Sequence, residues 1–246
     1  MTTWSTVVLA AGFGERLAPL TDTTPKPLIP IGGKALVEHI VGRLGTCGLP
    51  DPVVVVNHRH PDQWEAWRSA TVATGAVVVD NGVVDSGARR GAVADLRAAM
   101  DTGGAAPPGP WMVVAGDNLV AAEDLAAMVE RWGRDGVPLV ACRDLGDASG
   151  KEFGEVTLGP DGRIVRFREK PAHPTSSLAA TCTYVLAPDA PAAIDRYLAS
   201  GGDADSPGRF IAWLSTQRRV DAHLLTGDYH DIGTPDTLAA ARSAIG

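Results

Sequence analysis

The chain has little cysteine, no long apolar run and no excess of positive charge, and each shortage removes a class of function. Cys47, Cys142 and Cys182 are odd in number and lack metal-ligand spacing, so neither a disulfide framework nor a zinc site is expected. Each is read as a buried apolar side chain in a reducing compartment. No segment approaches the roughly 18 apolar residues of a membrane helix, and the amino terminus, Met1-Thr2-Thr3-Trp4-Ser5, lacks the basic and apolar regions of a secretory signal. A cytoplasmic protein without a membrane partner is expected. Basic side chains number 22 against 29 acidic ones, a net charge of −7, which argues against nucleic acid as the main partner. Small molecules remain.

Two common phosphate-binding motifs are also missing. A Rossmann fingerprint needs a third glycine where Leu17 stands, and a P-loop needs Gly-Lys followed by Ser or Thr. What is present is Val7-Val8-Leu9-Ala10-Ala11-Gly12-Phe13-Gly14-Glu15-Arg16-Leu17, then Thr24-Pro25-Lys26-Pro27-Leu28-Ile29-Pro30. A short apolar β run leads into a loop where Gly12 and Gly14 let an anion approach, and Arg16 and Lys26 bring positive charge to the same mouth. Pro25 and Pro27 stiffen the segment that carries Lys26. A nucleoside triphosphate is the expected guest, gripped by Leu9, Ala10, Ala11, Gly12 and Gly14.

At 246 residues the chain can form one large α/β domain. Apolar β-branched runs at 6–9, 53–56, 76–79, 111–115 and 138–142 predict buried strands of a mostly parallel sheet. Helical spacing at 35–44, 61–70, 92–100 and 122–134 predicts the flanking helices. Residues 103–110 read as a Gly/Ala/Pro-rich surface connection. Beyond residue 150 the pattern changes. Residues 154–167 alternate around a Pro160-Asp161-Gly162 turn, which predicts an antiparallel hairpin. A strand over 177–186 and helices over 190–199, 209–216 and 234–244 follow.

The two amino-terminal motifs resemble the signature of the sugar-1-phosphate nucleotidyltransferases. Three later segments fall in that family's order: Ala115-Gly116-Asp117-Asn118-Leu119; Phe153-Gly154-Glu155-Val156 with Arg168-Glu169-Lys170-Pro171; and Tyr229-His230-Asp231-Ile232-Gly233-Thr234-Pro235. The resemblance spans residue 7 to about residue 241. It implies a Rossmann-like, mixed but mostly parallel sheet flanked by helices, with an antiparallel hairpin in the second half. The nucleotide-binding part would run to about residue 120, and the sugar-phosphate part from there to 246. It also implies transfer of a nucleoside monophosphate to a sugar 1-phosphate, with release of pyrophosphate, by a monomer or homo-oligomer. No hexapeptide repeat is visible, so the β-helix that some relatives append is not expected.

The resemblance assigns roles residue by residue. Arg16 and Lys26 would face the triphosphate, Asp117 and Asp231 would hold Mg²⁺, Lys170 would contact the sugar phosphate, Glu169 would accept from sugar hydroxyls, and the Gly154 backbone would meet the sugar. Asp117, at the end of the 111–115 run, also fits a helix cap or turn residue. Three departures bear on specificity. No Gln followed by Pro-x-Gly stands in the base-reading region; Asn81 and the backbone near Gly91 take its place. Cys182 stands where relatives carry Gly beside the acceptor. Glu15 stands where Thr or Ser is usual. Arg89 and Arg90 are open to two readings, contact with phosphate or acceptor and simple solvation. Alternatives are a cytidylyltransferase acting on a small phosphate or phosphonate alcohol, and a non-catalytic regulator that binds nucleotide sugars.

Overall fold

A computed structural model describes residues 2–70, 75–102, 109–146 and 151–246. Its framework is a nine-stranded mixed sheet. After β1 (Ser5–Leu9) comes a short separate hairpin of β2 (Pro30–Ile31) and β3 (Lys34–Ala35), and β1 then joins β4 (Val53–Val56), β5 (Val77–Asp80) and β6 (Trp111–Ala115) as four parallel strands. β1 lies between β4 and β6, with Val7 opposite Val53 and Val113, and β5 forms the outer edge. β-branched runs suit β1, β4 and β6, whose two faces are covered, whereas the run expected to be buried at 76–79 forms the edge strand β5 and stays half-buried, with Val77 exposed.

Successive side chains of a strand point to opposite faces, and the core divides accordingly. Val8, Val54, Val56, Met112 and Val114 belong to one apolar cluster. That face is covered by α2 (Leu36–Thr46), α3 (Pro61–Ala70), α5 (Ala122–Asp135) and α8 (Pro235–Ile245), while the four-residue α1 (Leu20–Thr23) follows the glycine loop. Val7, Val55 and Val113 belong to the other cluster, under α4 (Ala92–Met100), α6 (Ala190–Ala199) and α7 (Pro207–Gln217). α8 begins with Thr234, whose side chain accepts from the Thr237 N–H, and Pro235 occupies the first turn, where its missing N–H costs nothing.

The second half extends the sheet antiparallel. A three-residue strand β7 (Asn118–Val120) follows β6, and β8 (Leu139–Asp144), β9 (Gly154–Leu158), β10 (Ile164–Glu169) and β11 (Leu178–Leu186) come next. β9 and β10 form the expected hairpin, with Gly162 at φ 78° in its turn. β11 runs antiparallel to β6, β8 and β9. β12 (Asp221–Leu224) pairs parallel with β8, and β13 (Tyr229–Asp231) pairs with β7. The expected fold class holds, with antiparallel pairing through most of the second half. The connection at 103–110 falls largely outside the described residues. Among those residues no helix is long and apolar enough to cross a membrane.

Candidate active site

The carboxyl ends of β1 and β6 meet the β7–β13 ribbon, the position where open α/β sheets bind ligands. Gly116 donates to the Leu9 carbonyl at 2.7 Å, and a Cβ on Gly116 would lie 3.0 Å from the Leu9 carbonyl oxygen and from the Ala10 Cα. That glycine lets the two strand ends close up. Buried Asn57, just past β4, donates to the Ala11 carbonyl at 3.0 Å and pins the glycine loop.

The glycines of the loop do different work. Gly14 is left-handed at φ 67°, and a Cβ there would meet Thr21 at 2.8 Å and Lys26 at 3.2 Å, so glycine is needed for local packing. Around Gly12 a Cβ would meet nothing within 4 Å. Its missing side chain leaves room on the ligand side.

Two carboxylates converge here from distant segments. Asn118 pairs with Asp231 across the ribbon, and Ile232 donates to the Asp117 carbonyl at 3.0 Å. Burial and the neighbouring Asp117 charge raise the Asp231 carboxyl above its ordinary value, while Lys26, Arg16 and Lys170 oppose them. Lys26 is buried and donates to Asp117 Oδ2 at 2.6 Å. Arg16 lies against Gly233, where a Cβ would come within 2.9 Å of its guanidinium. Five predicted residues therefore form one electrostatic cluster.

Two cavities open from this cluster. The smaller, about 290 Å³, is bordered by Leu9, Ala11, Gly12, Asn81, Gly91 and Cys182, and also by Asp95, Arg89 and Asp205. Ala10 is buried, and neither it nor Gly14 borders either of these two cavities. Asn81 is held by the buried Asp95 carboxylate, to which its amide donates at 3.1 Å, and it accepts from the Val83 N–H at 3.0 Å. Gly91 adopts φ 99°, and a Cβ there would lie 2.3 Å from the Ala204 carbonyl oxygen. Arg89 pairs with Asp205 at 3.5 Å and Glu15 at 4.0 Å across the cavity mouth, whereas Arg90 reaches the Asn81 carbonyl at 3.4 Å.

The larger cleft, about 1070 Å³, is bordered by Arg16, Asp117, Gly154, Glu169, Lys170, Cys182 and Asp231. Gly154 is required from within, since a Cβ would lie 2.5 Å from the Phe167 ring. Gly208 makes similar room for Glu169, whose carboxyl is raised by burial against the opposing charges of Lys170 and Arg209. Lys170 has φ 43°, and its N–H donates to the Phe153 carbonyl at 3.1 Å. Such a backbone in a residue other than glycine is strained, and surrounding structure must hold it. Buried Glu155 supplies much of that support: it accepts from Arg168 Nε at 2.5 Å and from the amides of Thr175 and Ser176. Burial alone would raise its carboxyl, but those donors hold it at about 2.

A sequence profile of the nucleotidyl transferase family matches residues 5–246. The chain belongs to the nucleotidyl transferase family. Glucose-1-phosphate adenylyltransferase of Thermomicrobium roseum is 26% identical over 97% of the chain, which spans 59% of that relative's length. UTP–glucose-1-phosphate uridylyltransferase of Escherichia coli is 27% identical, with 95% of this chain and 89% of the relative covered. A solved structure of UDP-glucose pyrophosphorylase complexed with UDP-glucose superposes with a TM-score of 0.82 at 18% identity, covering 99% of this chain and 98% of that one. The fold is that of sugar-1-phosphate nucleotidyltransferases.

Within this transferase fold, Lys26 borders neither cavity. Its side chain is instead committed to Asp117. Asn57 and Asp95 hold neighbouring site segments and carried no motif signal, while Glu155 lay in a quoted motif without a role read for it. Each is a lone polar residue beside or within an apolar run, and only its burial reveals its role.

Proposed function

We propose that the protein is a sugar-1-phosphate nucleotidyltransferase, transferring a nucleoside monophosphate from a nucleoside triphosphate to a sugar 1-phosphate. One observation carries this reading: Arg16, Lys26 and Lys170 converge on Asp117 and Asp231 where the two cavities meet. The smaller cavity suits the nucleotide and the larger one the acceptor, which supports dividing one domain near residue 120, with Cys182 and Asp205 reaching back from the second part. The acceptor oxygen forms a bond to the α-phosphorus as the bond from that phosphorus to the bridging oxygen breaks, and pyrophosphate leaves. A phosphate monoester is largely ionised near pH 7, so no general base is needed. Arg16 offers a planar fork for phosphate oxygens, and Lys170 supplies a point charge on the acceptor side. Glu169, desolvated in the cleft, is suited to accept from sugar hydroxyls.

The residues also fit Mg²⁺. Asp231 is buried beside a second carboxylate, and a divalent cation would relieve that repulsion. Among the described residues no group of three or more His, Cys, Asp or Glu side chains could hold a metal. The protein would thus supply Asp117 and Asp231, leaving phosphate oxygens and water as the other ligands, a set that Mg²⁺ favours. When bound, the ion supplies neutralisation of phosphate charge.

The test is a pyrophosphate-release panel with Mg²⁺, crossing ATP, CTP, GTP, UTP and dTTP with sugar and cyclitol 1-phosphates. The expected result is turnover with at least one pair and a matching nucleotide sugar as product. Nucleotide binding without turnover of any pair would instead establish a non-catalytic binder.

A further inference from the structure

The acceptor cleft holds a cation that the proposed chemistry does not use. Arg143 lies in β8, is exposed and borders the 1070 Å³ cleft. Its guanidinium carbon sits 5.6 Å from the centroid of the Tyr229 ring, a cation–π arrangement. Some arginines elsewhere are paired, Arg97 with Asp195, Arg218 with Asp189 and Arg219 with Asp221, while Arg134, Arg166 and Arg196 make no ion pair among the described residues; what sets Arg143 apart is its place in the cleft. Among the described residues no carboxylate comes within ion-pair distance of Arg143. Glu152 and Asp228 border the same cleft, but neither pairs with it, and Asp228 acts on Arg43 and His230.

The position of Tyr229 places this cation relative to the reacting centre. Tyr229 and Asp231 are two residues apart in β13, so their side chains share a face about 6.6 Å apart along the strand. The charges around Tyr229 agree. Burial, followed by Asp231 and Asp117, raises its phenol well above the ordinary range, and Arg143 opposes them. Arg143 therefore stands one strand repeat beyond the proposed phosphate site, in the same cleft. At about 1070 Å³ the cleft slightly exceeds the roughly 300–1,000 Å³ typical of small-molecule sites, leaving room beyond a reacting phosphate and its sugar ring.

We infer that the acceptor is a sugar 1-phosphate carrying a second anionic group, a carboxylate on the sugar, which Arg143 receives against the Tyr229 ring. The guanidinium is a planar fork matched to a carboxylate, and the aromatic ring beneath holds it in place without neutralising it. A neutral sugar would offer that guanidinium no charged partner. This inference rests on the proposed nucleotidyltransferase activity and deepens it by naming the acceptor class.

The experiment compares matched acceptors: glucose 1-phosphate with glucuronic acid 1-phosphate, and N-acetylglucosamine 1-phosphate with N-acetylmuramate 1-phosphate. The nucleoside triphosphate giving most turnover is held saturating, and kcat/KM is measured for wild type and Arg143→Gln. The expected result is a preference of about 10–100-fold for the carboxylate-bearing member of at least one pair, on the scale of a charge-assisted hydrogen bond. Arg143→Gln should reduce that ratio at least about tenfold. Equal use of both members of each pair by the wild type, or equal losses on both in the variant, would overturn the inference while the transferase activity stands. No turnover of any acceptor would overturn the proposed activity and the inference with it.

Discussion

Replacing Glu155 with Gln isolates the support beneath Lys170. Glu155 is 3% exposed. One of its oxygens accepts from Arg168 Nε and the other from the Thr175 hydroxyl and the Thr175 and Ser176 amides. A glutamine can keep one set of acceptor contacts but sets its own N–H donors against the other. The carboxyl is held at about 2 against an ordinary 4.5, a difference of about 2.5 pH units at about 1.4 kcal/mol each. Partial exposure of Arg168 screens some of this, leaving about 2–3 kcal/mol. For a protein of this size that lowers Tm by roughly 5–10 °C. The sign with pH follows from the lowered value: the stabilisation is complete above about pH 4.5 and is lost as pH falls toward 2. Thermal scans between pH 3 and 8 should therefore show a gap between wild type and Glu155→Gln that is full at pH 7 and narrows at pH 3. The variant should also raise the acceptor KM more than the nucleotide KM, because Lys170 opens the loop that Glu155 anchors. A Tm loss under about 2 °C at pH 7, or a gap that widens in acid, would refute this reasoning.

Other variants test the remaining parts of the site. Asp117→Ala and Asp231→Ala should each lower turnover at least about 100-fold. They should differ in stability, because Asp117→Ala leaves buried Lys26 unpaired, at a cost of about 1–3 kcal/mol, whereas Asp231→Ala removes a carboxylate disfavoured by burial and should leave Tm unchanged or higher. Lys26→Ala should lower kcat/KM for both substrates alike, because it releases Asp117, whereas Lys170→Ala should mainly impair use of the sugar phosphate, by roughly 2–4 kcal/mol measured with the triphosphate saturating. Cys182→Gly should broaden acceptor use toward ordinary hexose 1-phosphates by about 1–3 kcal/mol, read from the same acceptor panel. Burial pushes the Cys142 thiol up to about 12, and Cys47 and Cys182, half-buried rather than buried as expected, are raised in the same direction by desolvation. A thiol reagent at pH 8 should accordingly modify the native protein far more slowly than the unfolded chain.

The parallel core was legible in the sequence because runs such as Val53–Val56 and Trp111–Ala115 are apolar along their whole length, as two-sided burial requires. The 154–167 hairpin was legible from alternation around Pro-Asp-Gly. β7, β12 and β13 were not, since three or four residues with polar members, as in Tyr229-His230-Asp231, carry no usable period. Of these, β7 and β13 bring Asp117 and Asp231 together, so motif order anticipated a meeting that local pattern did not show. The position of Lys26 was legible, but its commitment to Asp117 was not, because a contact across 91 residues leaves no trace in spacing. The contact between Arg143 and Tyr229 went unread for the same reason.

The most direct test of the central claim follows phosphorus. The protein is incubated with Mg²⁺, an accepted sugar 1-phosphate and nucleoside triphosphate labelled in separate reactions at the α- or γ-phosphate. The account predicts that α-label appears in the nucleotide sugar and γ-label in pyrophosphate, in equal amounts, and that added pyrophosphate reverses the reaction. Transfer of γ-label to the acceptor, or its release as inorganic phosphate with pyrophosphatase excluded, would contradict it.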